Sequence, residues 1–310
     1  MGDNPLVSII INAFNAEKYL SKTIDSVLSQ SYTNWEIIFW DNQSTDDTKA
    51  IVDTYTDSRI HYFMAPKFTE LGEARNLAIA KSSGQFLAFL DSDDLWMPSK
   101  LEKQLPIFND ASIGLVYCDS TVLVDEVDQS NTFQAMRPIR GRCFRELLTH
   151  YPISLETVVV RKRAIESLSY MFDRRFTGIE EYDLFCRIAE YWAIDYIDEP
   201  LSKWRSHSES WTHRNGSKFM DERLVMYADL FARQDIEQLY PGIIAEISEY
   251  DSHMRLMWFW REGRGEEARK NLPKKSKSYL RYLVFYWCTF FPAKFFESIR
   301  NGLANIRFLS

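Results

Sequence analysis

Apolar residues in the first hundred positions follow two alternating rhythms. Runs rich in β-branched and aromatic residues at 6–11, 35–40, 60–64 and 86–90 predict strands, and helix-like stretches near 17–30, 46–56 and 72–82 separate them. Strand–helix repeats require crossover connections, so the pattern predicts a mostly parallel sheet with helices on both faces. Ligands in such sheets bind beyond the carboxyl ends of the strands. Asn15 follows the first strand, Asp41 the second and Asp91-Ser92-Asp93-Asp94 the fourth, so these residues are expected along one edge.

Further β runs at 113–118, 121–124, 157–160 and 194–197, around a helix-like segment at 180–192, predict a mixed extension of the same sheet. From 217 onward the pattern is helical. The expected division is therefore an α/β domain over 1–215 and a helical C-terminal region over 216–310.

Composition sharpens this picture. With 45% hydrophobic and 26% charged residues among 310, the chain is neither disordered nor low in complexity. A net charge of −7 argues against a general nucleic-acid binder. Residues 261–310 hold eleven Lys/Arg against four Asp/Glu, a balance of +7, which leaves −14 on residues 1–260. Four cysteines without a CxxC pair indicate neither a zinc knuckle nor a disulfide framework and fit a reducing cytosol. The first residues lack the features of a signal peptide, so a cytoplasmic location is expected.

Asp91, Asp93 and Asp94 place three carboxylates within four residues, after the buried-looking run at 86–90. Two such charges ~5 Å apart at an effective dielectric of ~20 repel by roughly 3 kcal/mol. A divalent cation with oxygen ligands, Mn²⁺ or Mg²⁺, would offset that, with phosphate and water completing its shell. The alternative reading has one Asp capping a helix near Trp96-Met97-Pro98 and the others solvated. Neither GxGxxG after the first strand nor GxxxxGK[ST] is present, so the metal is expected to hold any phosphate ligand.

Four segments in order resemble the inverting glycosyltransferases of family 2, which have the GT-A fold. They are Val7-Ser-Ile-Ile-Ile-Asn-Ala-Phe-Asn15, Trp40-Asp-Asn-Gln-Ser-Thr-Asp-Asp-Thr48, Gly72-Glu-Ala-Arg-Asn76 and Phe89-Leu-Asp-Ser-Asp-Asp94, the last matching the family's DxD region. The resemblance implies a GT-A-like catalytic domain in which Ala13, Phe14 and Asn15 border the nucleobase and Asp41 meets it. It places Asp91, with Ser92, near the ribose, has Arg75 and Asn76 line the nucleotide pocket, and makes Asp93 a metal ligand. Phe14 as a packing ring and Arg75-Asn76 as structural residues are the competing readings. The usual Pro of the first turn is Asn12 here, and the usual Asp-Gly of the second turn is Asn42-Gln43. Glycine often serves a positive φ, where Gln would be strained, so this turn is expected to differ in shape.

Gly178-Ile-Glu-Glu-Tyr-Asp-Leu-Phe-Cys-Arg187 resembles the family's second acidic motif, which implies that Glu181, beside Glu180, is the general base. Both acids fall in the first turn of an amphipathic helix, where negative charge is favoured whatever its role. Asp183 and Arg187, four apart, are expected to pair on the helix. The segment around Arg205-Ser206-His207 resembles the family's late Arg-x-His region. This gives His207 a metal or phosphate contact as one reading and simple exposure as the other, with His213 a weaker candidate.

Together these features imply a metal-dependent inverting transfer of a sugar from a nucleoside-diphosphate donor, a UDP-sugar foremost. The acceptor would be a glycan or lipid-linked glycan in surface polysaccharide synthesis. A non-catalytic nucleotide-sugar-binding scaffold and a nucleotidyltransferase remain alternatives. The aromatic run at 279–296 is flanked by basic residues, and its uncharged core of twelve residues, 282–293, is shorter than the ~20 needed to span a bilayer. It reads as peripheral contact through 274–300 with the cytoplasmic face of the inner membrane, or as a helix packed on protein.

Overall fold

A computed structural model describes residues 4–207 and 216–270, together with residue 290. The chain divides into two compact units, residues 1–226 and 227–310. The boundary falls inside the helix Gly216–Phe231, eleven residues beyond the position expected from the polarity pattern.

The first unit is a single mixed sheet flanked by helices. Its strands are β1 (Val7–Ala13), β2 (Trp35–Asp41), β3 (Ile60–Met64), β4 (Phe86–Phe89), β5 (Leu95–Trp96), β6 (Ile113–Val124), β7 (Val127–Asn131), β8 (Val159–Arg161) and β9 (Ala193–Ser206). They lie in the order β3-β2-β1-β4-β8-β6-β9-β5, with β7 paired to β6. β1 runs parallel to β2 and β4, as does β3 to β2 and β9 to β6, while β8 enters antiparallel between β4 and β6. Both faces of β1 and β2 are covered, which explains why every residue in these two strands is buried. The core runs through Val7, Ile9, Ile11, Ile37, Phe39, Phe86, Ala88, Phe108 and Val116.

The helices around the sheet are α1 (Leu20–Leu28), α2 (Thr48–Asp53), α3 (Leu71–Ile79), α4 (Lys100–Gln104), the short α5 (Thr132–Ala135), α6 (Phe144–Leu147) and α7 (Lys162–Glu166), and α8 (Glu180–Tyr191). The first turns expected after β1 and β2 are present. No helix begins at Trp96: Leu95 and Trp96 form β5 against Lys203 and Ser202, and α4 starts at Lys100. A helix cap therefore does not account for any of Asp91, Asp93 and Asp94. β7 was not visible as an alternating run because Val127-Asp-Gln-Ser-Asn131 has one apolar residue, and hairpin pairing with β6 defines it.

The second unit contains the helices Ile236–Leu239, Ile243–Arg261 and Gly265–Lys270, with Leu256, Trp260 and Ala268 forming a small core. Among the described residues no helix is long and apolar enough to cross a membrane. The basic aromatic segment 274–300, apart from residue 290, and His213 lie outside the described residues.

Gly84 marks the closest backbone approach near β4. Its N–H donates to Ser8 Oγ at 2.8 Å, and Ser8 Oγ in turn donates to the buried Glu36 carboxylate at 2.6 Å. A Cβ at position 84 would stand 2.6 Å from Ser8 N and 2.8 Å from Leu6 O, both main-chain atoms. Gly84→Ala is expected to lower stability by about 1–3 kcal/mol, the range for overpacking a tight interior. Urea denaturation measures it, and an unchanged midpoint would contradict this packing.

Candidate active site

β1 and β2 end in register, Ala13 opposite Asp41, and the two turns that follow are tied together. Asn15 Oδ1 accepts from Thr45 N at 2.8 Å, and Asn15 N donates to Ser44 Oγ at 2.9 Å. Asp41 is fully buried. Ser44 N donates to its Oδ1 and the Tyr62 hydroxyl to its Oδ2, both at 2.7 Å, so this acid pins the turn. The turn keeps its left-handed shape despite lacking glycine. Gln43 takes φ +72° and Asn15 φ +53°, a conformation that costs a residue with a Cβ roughly 1–2 kcal/mol. Gln43 Nε2 donates to Ala65 O, and Asn42 holds Thr69 through both amide atoms, which helps to fix the turn in place.

Above this edge stand two half-exposed rings. Phe14 (51% exposed) meets Phe68 (55% exposed) edge to face, with centroids 5.1 Å apart. A packing role would bury Phe14, and the structure leaves it open. Phe68 lies outside every recognised motif, and only its position after β3 could have suggested it.

The three acidic residues after β4 separate in direction. Asp91 Oδ1 accepts from Arg75 Nη2 at 3.0 Å. Asp93 Oδ2 lies 2.9 Å from His207 Nε2. Asp94 Oδ1 accepts from the Arg205 main-chain N–H at 2.7 Å. Each of the three thus has a different protein partner, while the repulsion expected from their spacing persists between them. Burial raises the Asp93 carboxyl, with the Asp91 charge adding to it, and burial together with the Asp93 charge raises Asp94 well above the usual carboxylate range. Ser92 and Asp94 both accept through their carbonyls from Thr23 Oγ1, at 3.0 and 2.9 Å, anchoring the loop to α1.

Among the described residues no three His, Cys, Asp or Glu side chains are grouped to hold a metal alone. Asp93 and His207 do offer one carboxylate and one imidazole within contact of each other, and His207 Nδ1 is buried without a hydrogen-bond partner among the described residues. That donor set suits an ion that takes one or two protein ligands and completes its shell with phosphate and water.

Arg75 joins this edge to the second acidic motif. Its side chain is 3% exposed and pairs with Asp91, with Glu180, and with Glu181 Oε2 at 3.6 Å. Burial works against its charge, and the three carboxylates outweigh burial, raising its pKa. Glu180 and Glu181 open the helix α8 (Glu180–Tyr191), as their pattern indicates. The Glu222 carboxylate holds the entry to that helix, accepting from Gly178 N at 2.8 Å and Ile179 N at 3.2 Å. Burial raises Glu181 well above the ordinary carboxylate range, and the Glu180 charge reinforces the shift against the pull of Arg75. A quarter of its side chain remains exposed, whereas Glu180 is enclosed. Asp183 pairs with Arg187 as expected, so it is occupied away from this cluster.

Of the two readings of Asn76, the hydrogen bonds of its amide fit the structural one. Its Nδ2 donates to Phe172 O at 2.9 Å and its Oδ1 accepts from Phe172 N at 3.0 Å, a clamp between α3 and the loop preceding α8.

Two residues without a recognised motif join the cluster. Glu156, in the single 3-10 turn Leu155–Thr157 that precedes β8, is buried, and burial raises its carboxyl, with the Asp91 charge adding to it. Tyr151 packs against Tyr182 with ring centroids 4.3 Å and planes 45° apart, and burial with the Glu181 charge raises its hydroxyl well above the ordinary phenol range. Neither could be found from local spacing, because each is placed by β8 and α8 rather than by neighbours in sequence.

Comparison with known proteins agrees with this geometry. Residues 8–167 match glycosyl transferase family 2, and the chain belongs to that family and is a glycosyltransferase. It is 34% identical over 186 residues to the Escherichia coli UDP-Glc:alpha-D-GlcNAc-diphosphoundecaprenol beta-1,3-glucosyltransferase WfgD, covering 60% of this chain and 70% of that protein. The fold is that of S. aureus TarS 1–349 in complex with UDP-GlcNAc (TM-score 0.65, 18% identity, 86% of this chain and 79% of that one). It is likewise that of the mannosyltransferase PcManGT from Pyrobaculum calidifontis in complex with GDP-Man and Mn2+ (TM-score 0.66, 14% identity, 98% and 89%). The GT-A-like expectation is met.

The raised carboxyls set a sign for stability against pH. Glu180, Glu181, Asp93 and Asp94 have folded-state pKa values above their ordinary ones, so the folded chain holds more protons than the unfolded chain above about pH 4.5. Their contribution is present at low pH and is lost as pH rises through the raised values. Urea midpoints should therefore increase from pH 7 to pH 5, with a shallower rise in Glu181→Gln. An equal slope in both proteins would contradict the shift at Glu181.

Proposed function

We propose that this chain catalyses a metal-dependent, inverting transfer of a sugar from a nucleoside-diphosphate donor, a UDP-sugar, to a hydroxyl of a glycan or lipid-linked glycan in polysaccharide synthesis. The observation that carries this reading is the Arg75 guanidinium, which binds Asp91 on the strand edge and Glu180 and Glu181 on α8 at once. It puts a partly exposed carboxylate beside the acidic edge where a nucleotide would bind. The names of the WfgD relative and of the TarS complex support a UDP-sugar, and WfgD supports a lipid-linked acceptor.

In this reading Phe14 and Phe68 flank the nucleobase together with Ala13 and Asn15, while Asp41 fixes the turn beneath it. Asp91 and Ser92 lie along the ribose. Asp93 and His207 would hold Mn²⁺ or Mg²⁺, which supplies charge neutralisation for the departing diphosphate. Glu181 takes the proton of the acceptor hydroxyl as that oxygen bonds to the anomeric carbon and the bond to the diphosphate breaks. Attack from the face opposite the leaving group inverts the centre. Arg75 holds Glu181 in place and Glu180 neutralises part of the Arg75 charge.

A panel of UDP-glucose, UDP-galactose, UDP-N-acetylglucosamine and GDP-mannose with Mn²⁺ and a lipid-diphosphate N-acetylglucosamine acceptor tests the reaction. Release of nucleoside diphosphate from one donor is expected. Release of pyrophosphate would indicate nucleotidyl transfer, and binding without turnover would indicate a scaffold. Glu181→Gln should lower kcat by about 10²–10⁴-fold, the usual contribution of a general base. Undiminished turnover at saturating substrates would assign the base elsewhere.

Loss of ring stacking gives a separate expectation. Phe14→Ala should weaken UDP binding by about 1–3 kcal/mol in calorimetry, as removal of a base-stacking ring does. Affinity equal to that of the parent would return Phe14 to a packing role.

A further inference from the structure

The Tyr151 hydroxyl is buried and has no hydrogen-bond partner among the described residues. Buried hydroxyls are nearly always paired, since leaving one unpaired forfeits its solvation. Here the ring is fixed against Tyr182, whose own hydroxyl is satisfied by Leu148 O at 2.8 Å. The charged and titratable groups that act on the Tyr151 hydroxyl are Glu181, Cys186 and Glu180 from α8 and Arg75 from α3. Burial and the negative field of Glu181 hold the phenol protonated well above its ordinary pKa, so it is a hydrogen-bond donor at any working pH.

Glu181 is approached by Arg75 at 3.6 Å, with Glu180, Asp91 and Glu156 as the other charges acting on it. Arg75 is already engaged by Asp91 and Glu180, so it orients the Glu181 carboxylate on one side only. An unpartnered donor on a ring packed against Tyr182, the residue that follows Glu181 on α8, can give that quarter-exposed carboxylate a second point of orientation.

We propose that Tyr151 is a positioning residue for the base, donating its hydroxyl hydrogen to the Glu181 carboxylate when the acceptor is bound. The proposal rests on Glu181 being the base. Tyr151 makes no contact with the reacting atoms. It fixes the carboxylate so that one oxygen lies toward the attacking hydroxyl, and by donating to the ionised form it lowers the pKa of the base in the complex.

Tyr151→Phe removes that single hydroxyl. The expected result is a fall in kcat of about tenfold or more, the loss of one hydrogen bond to a charged group. Donor KM should be unchanged, and the acid limb of the kcat–pH profile should move to higher pH because the carboxylate has lost a donor. The Tm should not fall, since the hydroxyl has no folded-state partner to lose. In a Glu181→Gln background the same substitution should cost no further activity, because the two groups act as one unit.

Unchanged kcat and pH profile in Tyr151→Phe, alongside a large loss in Glu181→Gln, would overturn the role of Tyr151 and leave the base assignment standing. A matched fall in Tm and kcat without movement of the pH profile would make Tyr151 structural and overturn the proposal. Full turnover by Glu181→Gln would overturn both.

Discussion

A single buried guanidinium sets the arrangement of this site. Arg75 lies on α3, Asp91 follows β4, and Glu180 and Glu181 start α8, so one cation connects three elements distant in sequence. Removing one partner from a buried ionic cluster is strongly destabilising, because the remaining charge is left without water and without a counterion. The carboxylates therefore require Arg75 as much as it requires them. This mutual dependence holds α8 against the carboxyl edge of the sheet, and its energetic basis is local enough to position Glu181 tightly.

The rest of the edge follows the same logic at lower cost. Asp94 is answered by Arg205 near the end of β9 and Asp93 by His207 just beyond it, and the β1 and β2 turns hold one another through Asn15, Ser44 and Thr45. What the protein leaves incomplete is informative: raised carboxyls at Asp93 and Glu181, half-exposed rings at Phe14 and Phe68, and an unpartnered phenol at Tyr151. Under the proposed function the charge and the aromatic face meet the donor nucleotide, and the phenol serves the Glu181 carboxylate. A buried hydroxyl without a partner, as at Tyr151, is rare in folded chains.

Much of this was legible in the order of residues. β1 to β4 and the helices between them follow from runs of apolar residues and helical spacing, because parallel central strands are buried throughout and mostly apolar and their crossovers are amphipathic. The site edge followed from those strand ends. Partners were not legible. Spacing grouped Asp91, Asp93 and Asp94 as one repelling cluster, whereas Arg75, His207 and Arg205 reach them from 16, 114 and 111 positions away. Likewise β9 extends to Ser206 past Glu199-Pro200, a break in alternation that bulged pairing with β6 absorbs. Asn76 shows the converse limit, since its match to a motif placed it near the nucleotide while its amide holds the Phe172 main chain.

The most direct measurement is a comparison of parent and Arg75→Met for both UDP affinity in the presence of Mn²⁺ and kcat, on protein shown to be folded by near-ultraviolet dichroism. If one guanidinium joins the nucleotide edge to the base, the folded variant loses both properties together. A folded variant that keeps either at the parent level would contradict the account.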